Sequence, residues 1–189
     1  MEISLIRHGK SMCTKTSSIS SKEFGNWVEK YDYSGVFEEN AYPTVTLKKI
    51  TTANIVIASD LKRSIDSANL LNPKIEAISE PLFRETELPI PSTNLWGLKL
   101  NSSIWALIFR CLWFSGYSRG CESLSSAKNR ANKASELLVK HAQEHTSVVL
   151  VGHGFFNMLI AKELKKMGWK GKRKTSSKNW SCTTYSISN

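Results

Sequence analysis

The sequence predicts an α/β fold, a three-layer α/β/α sandwich with a mostly parallel central sheet and a cap formed by insertions. Two observations carry this reading. Runs such as 147–152 (Ser-Val-Val-Leu-Val-Gly) are almost continuously β-branched or apolar, which suits strands covered on both faces. These runs also alternate with amphipathic helical patterns, as strand–helix units of a parallel sheet do.

Taken in order, residues 2–7 read as a first core strand that ends in a charged residue. Residues 53–59 (Ala-Asn-Ile-Val-Ile-Ala-Ser) are a second, and 74–78 alternate weakly enough to suggest a third. A helix over 61–71 follows the second strand at once, with Asp60 placed to cap it. Leu124, Ala127, Ala131, Ala134 and Leu138 recur at helical steps and predict an amphipathic helix; Ser123 is its expected cap. Residues 147–152 are the clearest buried strand. A helix over 155–167 is ended by Gly168, and 182–187 close the chain as a strand. Segments 10–49 and 86–120 fit no core element. They are expected to cap the sheet's carboxyl edge, where open α/β folds bind ligands.

A chain of 189 residues with 41% hydrophobic composition holds enough apolar material for one core, so a single domain over 1–189 is expected. The formal net charge of +10 favours anionic partners. Lys162, Lys165, Lys166, Lys170, Lys172, Arg173, Lys174 and Lys178 crowd the end of the chain, and read first as a solvated helix end and loop. Cys13, Cys111, Cys121 and Cys182 are irregularly spaced and predict free thiols in a reducing, cytoplasmic setting. No leader is expected, because Met1 is followed at once by what reads as the first strand. The aromatic stretch 95–116 is interrupted too often by Gly97, Lys99, Asn101 and Arg110 to span a bilayer, although it could touch an anionic membrane surface. Nucleic acid is not an expected partner, and the oligomeric state is left open.

Three expected strand ends carry unusual polar residues: Arg7-His8-Gly9, Ser59-Asp60-Leu61-Lys62-Arg63 and Gly152-His153-Gly154. The sheet would bring all three to one edge. Neutral imidazole is a good nucleophile toward phosphorus. Guanidinium forks match phosphoryl oxygens, and with a second histidine they form a preorganised site for an anion. Glycine after each histidine would let backbone approach the phosphate. Helices beginning after Asp60 and Gly154 would aim their amino ends at it.

In these motifs the sequence resembles the histidine phosphatase superfamily, also called phosphoglycerate mutase-like, in its broad-specificity phosphatase branch. Arg7-His8-Gly9 with Ser11, Ser59 to Arg63, Leu82-Phe83-Arg84-Glu85, Gly120-Cys121-Glu122-Ser123 and Gly152 to Gly154 carry the resemblance across nearly the whole chain. It implies a phosphohistidine intermediate at His8, a phosphate pocket from Arg7, Arg63 and His153, and Glu85 as proton donor. Gly9, Ser11 and Gly154 are further pocket candidates, and no metal or cofactor is expected. The expected substrate is a phosphorylated small molecule or a phosphoprotein. The sequence departs from the pattern at Ser64, where many members carry alanine, at Thr14, near where some place an asparagine, and in the segment after Glu85. All three differences touch substrate-facing loops. Spacing alone does not separate Glu85 from Glu87, since side chains two apart in an extended segment share a face.

Rival readings start from the same residues. A phosphomutase would differ only in how well the phosphoenzyme is guarded from water, and a regulatory module would bind phosphorylated ligands with little turnover. His141-Ala142-Gln143-Glu144-His145 matches H-x-x-E-H, a zinc-hydrolase pattern, although it also reads as the polar end of a helix. Trp27, Tyr31, Tyr33 and Tyr42, and Trp96, Trp105 and Trp113, would form either a small lid core or an apolar substrate wall.

Overall fold

The computed structural model describes residues 1–14, 17–90 and 97–188; Trp96 lies outside them. Strands β1 (Glu2–Arg7), β2 (Ile55–Ala58), β3 (Ile78–Ser79), β4 (Ser147–Gly152), β5 (Lys170–Gly171) and β6 (Cys182–Ser186) form one sheet in the order β3-β2-β4-β1-β6-β5. The first four in that order run parallel, and β6 and β5 complete the sheet antiparallel. The weak alternation before Ile78 yields only the two residues of β3, both exposed at the sheet edge.

Helices cover both faces. Ile3 and Leu5 of β1 pack with α5 (Leu124–His145) and α6 (Gly154–Lys166), while Ile6 of the same strand faces α2 (Thr44–Thr51) and α3 (Lys62–Leu71). This two-residue alternation with burial on both sides is what a central strand requires. Ser123 caps α5 through a bond from Ser126 N of 3.1 Å, and Gly168 turns at φ +90° just beyond α6. A third cluster stands apart from these layers. Phe24 of α1 (Ser21–Tyr33) meets Trp105 and Phe109 of α4 (Ser102–Phe114), with Trp27, Leu88 and Ile90 around them. Trp27 and Trp105 therefore do build a lid core, whereas Trp113 and Tyr42 pack with the central layers and Tyr33 is exposed. However, Ile50 of α2 is buried against the sheet, so the end of the 10–49 segment belongs to the central layers.

Two sequence expectations change. Asp60 does not cap α3, whose first-turn amides have no side-chain cap. It pairs instead with Arg84, whose Nε donates to Oδ1 at 2.7 Å, tying the segment before Glu85 to the β2–α3 turn. The second concerns the glycine after His8, which makes room for a ring: a methyl there would come within 2.0 Å of Trp180. Trp180 is 3% exposed and meets Tyr42 edge-on at 4.7 Å, so it has little room to yield. Gly9→Ala should cost about 1–3 kcal/mol of stability through overpacking. The measurement is a denaturant midpoint, and a variant as stable as the parent would contradict this packing.

Candidate active site

The register of the sheet sets the site. Arg7 of β1 lies opposite Gly152 of β4, so the next residue of each strand, His8 and His153, emerges beside the other. Their ring centroids are 5.1 Å apart. Arg63 arrives from the first turn of α3, which follows β2, the other neighbour of β4. The His8 backbone is fixed on several sides. Its N–H donates to Gly152 O at 3.0 Å, its carbonyl accepts from Asn179 Nδ2 at 2.9 Å, and Gly9 N–H donates to Ser67 Oγ at 2.9 Å.

The His8 side chain has a defined orientation. Nδ1 lies 2.7 Å from the Gly9 carbonyl, which can only accept, so Nδ1 carries the proton and Nε2 keeps its lone pair. Burial pushes the His8 pKa from its ordinary 6.5 down to about 3, with the charge of Arg63 next in weight and that of Arg7 smaller. His153 is also driven well below its ordinary value, first by burial and then by Arg63. Both rings are therefore neutral at physiological pH. His153 Nε2 meets Ser64 Oγ at 3.3 Å, and with Ser64 donating, the His153 proton sits on Nδ1.

Buried side-chain nitrogen and oxygen atoms without a partner are few among the described residues. Arg7 Nε, Arg63 Nε and His153 Nδ1 are three of the six. Buried donors of this kind are normally satisfied, and these three belong to residues whose charges act on one another and on His8. The rest of each guanidinium is held in place. Arg63 Nη1 donates to Asp32 Oδ1 at 2.9 Å and to Tyr31 O at 3.3 Å, and the Tyr31 ring lies 4.6 Å from the guanidinium carbon. Arg7 Nη1 donates to Ser177 O. Gly154 leaves room for Arg7, since a methyl there would stand 3.2 Å from Arg7 Nε and press on it. As with Gly9, the glycine makes room for a protein side chain. Ser11 is buried, with its Oγ accepting from Cys13 N at 3.2 Å.

Arg7, Ser11, Arg63 and Glu85 all line one open cavity of about 1880 Å³, whose wall includes Trp27 and Tyr31 of the cap. The carboxylate of Glu85 sits on the amino end of α6. Oε1 accepts from Phe156 N at 3.0 Å and from Thr86 N at 2.9 Å, and Oε2 from Phe155 N at 3.1 Å. The first free amides of α6 thus hold a side chain of the protein, where the sequence suggested a bound anion. Glu87 also lines the cavity, but accepts from Glu122 N at 3.3 Å. Glu80 caps the 3-10 turn Pro81–Phe83. Geometry thus separates Glu85 from Glu87, which spacing did not.

The family model for the histidine phosphatase superfamily (branch 1) matches residues 44–189. The chain belongs to the histidine phosphatase superfamily. The matched stretch includes Arg63, Glu85 and His153, while Arg7 and His8 join them through the strand register. Solved structures share the fold over the whole length. The product of the Rv3214 open reading frame of Mycobacterium tuberculosis aligns with TM-score 0.59 at 15% identity, covering 99% of this chain and 91% of the other. A mutant phosphoserine phosphatase of Entamoeba histolytica in complex with phosphoserine aligns with TM-score 0.55 at 16% identity, over 97% and 89%. The same organism's phosphoserine phosphatase with 3-phosphoglyceric acid gives TM-score 0.56 at 16% identity over the same shares. No curated protein sequence matches significantly. The superfamily is one of phosphatases and mutases, so an activity of that type is what this fold supports.

Sequence reasoning missed Asp32 and Asn179, because each comes from a segment with no motif, and it named Tyr31 only as a cap aromatic, not as a partner of Arg63. Ser64 was noted as a departure, and its contact with His153 gives it a place. In the H-x-x-E-H pattern, donor atoms of His141, Glu144 and His145 lie within 4.8 Å of one another. They stand at the end of α5, just before β4 begins. The six-residue length of β4 puts them roughly 20 Å from His153, outside the phosphoryl site.

The buried neutral histidines imply a pH dependence of folding. Unfolded, each titrates near its ordinary value; folded, His8 does so near 3. Between these values the unfolded chain binds more protons, so stability rises with pH. The contribution is complete above about pH 6.5 and is lost as pH falls toward 3, at up to ~1.4 kcal/mol per pH unit for each histidine. The melting temperature should fall on acidification from pH 7 to 4.5, and His153→Asn should flatten that slope. An unchanged slope would contradict the burial described.

Proposed function

We propose that the chain is a phosphomonoester hydrolase working through a phosphohistidine at His8, on a phosphorylated small molecule or phosphoprotein. The observation that carries this reading is a His8 ring with its Nε2 lone pair free, 5.1 Å from the His153 ring and within the fields of Arg7 and Arg63, while Arg7 Nε, Arg63 Nε and His153 Nδ1 have no protein partner. Arg7, Arg63 and His153 hold the transferring phosphoryl oxygens as His8 Nε2 attacks phosphorus. Glu85 then protonates the departing oxygen, since an alkoxide leaves poorly. Of its two oxygens, Oε2 has the greater free capacity, because it carries a single backbone bond. Glu85 takes a proton from the water that attacks phospho-His8, which returns the site to its starting state. Hydrolysis is proposed over mutase chemistry because Arg7, Arg63 and Glu85 line an open cavity that admits water, although His8 and His153 are themselves buried and do not line it. The phosphoserine bound to a structural relative is consistent with this class of substrate.

His8→Ala should lower hydrolysis of an aryl phosphate by about 10³-fold or more while the far-ultraviolet spectrum stays unchanged. Near-normal turnover would end the proposal, and absent turnover in the parent protein would favour a regulatory binding module. Glu85→Gln should slow alkyl phosphates by about 10²-fold or more and nitrophenyl phosphate far less. If Glu87→Gln produced that contrast instead, the acid would be misassigned. The two arginines supply the charge a metal would otherwise bring, with neutral His153 as a further hydrogen-bond donor, so chelator treatment should leave the rate unchanged. A large loss restored by zinc or magnesium would contradict this.

A further inference from the structure

Helix α4 is apolar all round, yet only one side of it is covered. Ser102, Trp105, Phe109 and Trp113 are buried. Directly opposite them, Ile104, Leu107, Cys111 and Phe114 lie within an arc of about 80° and are all exposed, Leu107 at 64% and Phe114 at 51%. Leu98 and Tyr117, just before and after the helix, are exposed as well. A helix hydrophobic on every side normally has both sides covered, and a contiguous exposed apolar patch marks an interaction surface.

Charge indicates what covers it. From Leu88 to Cys121 there is no acidic residue, and Lys99 and Arg119 stand exposed on either side of α4. The chain as a whole carries +10. Strand β6 runs antiparallel to β1, with Cys182 beside Ile6. The exposed Lys178 lies near that end of β1, since Trp180 N donates to Arg7 O at 3.0 Å. Apolar and aromatic side chains flanked by cations are what an interfacial helix presents to anionic lipid. A second copy of the chain would bring like charge against like.

We infer that the outer face of α4 docks on an anionic bilayer surface, inserting Leu107 and Phe114 between headgroups while Lys99 and Arg119 meet lipid phosphates. The docking does not depend on the phosphatase reading. It would place the cavity, one wall of which includes Ser103 and Ala106 of α4, beside phosphomonoesters carried at that surface.

The test is vesicle co-sedimentation of the full chain. Phosphatidylcholine vesicles containing phosphatidylglycerol should bind it, and phosphatidylcholine alone should bind it weakly. Leu107→Ser/Phe114→Ser should weaken binding to the anionic vesicles by about tenfold or more. Neither residue lines the cavity, and an unchanged melting curve would show that the variant is folded. Three results would overturn the inference. One is no binding to anionic vesicles, and another is anionic binding that the double substitution leaves intact, which would be charge attraction alone. The third is a dimer in light scattering that the same substitutions dissolve, which would make a second copy the occupant.

Discussion

Positive charge gathered where water is scarce is the constraint around which this site is built. Arg63 is 2% exposed, His8 3% and His153 fully buried, with Arg7 alongside. Removing cations from water is expensive unless something compensates, and the protein compensates only in part. One end of Arg63 is met by Asp32 and the Tyr31 carbonyl, and one end of Arg7 by a backbone carbonyl. The remaining Nε atoms face no protein acceptor. Burial first, and then the same field, keeps both imidazoles neutral. A site that resists adding protons and has donors to spare is suited to an anion, and the donors need not reorganise to receive it.

Precision in that arrangement comes from the sheet. Adjacent parallel strands in register deliver His8 and His153 side by side, and α3 brings Arg63 in behind the next strand. The cap supplies what the sheet cannot. Helix α1 holds Arg63 through Tyr31 and Asp32, and the segment after the 3-10 turn sets Glu85 against α6. Arg130 braces this segment, donating to the carbonyls of Leu82 and Arg84 at 2.9 and 2.8 Å. Arg110 does the same from α4 through Thr86 Oγ1 at 2.7 Å. Motion of the cap would therefore be felt at the proposed acid.

What the sequence disclosed follows from physical locality. Strands β1 and β4 were legible to the residue because continuous apolar runs end at their charged or glycine termini. Arg7, His8, Arg63 and His153 were legible because each ends a strand or begins the helix after it, so topology alone brings them together. Contacts made between distant segments were not legible. Asp60 stands where a cap belongs, but the fold supplies Arg84, a better partner than a helix amide. The glycines after the histidines suggested room for phosphate, whereas Trp180 and Arg7 occupy that space. Nothing in the pattern of α1 marks Asp32 as the partner of Arg63, since that pairing exists only once the cap closes over the sheet. Glu85 and Glu87 share a face in an extended chain, and only the position of α6 distinguishes them.

The central claim is that phosphoryl transfer passes through one nitrogen. The direct measurement is to quench the protein during turnover of an aryl phosphate, keep it alkaline, and map the phosphorylated peptide by mass spectrometry. The account predicts an acid-labile phosphoryl group on Nε2 of His8. A phosphoryl group on any other residue, or turnover with no phosphoenzyme on any quenching timescale, would contradict it.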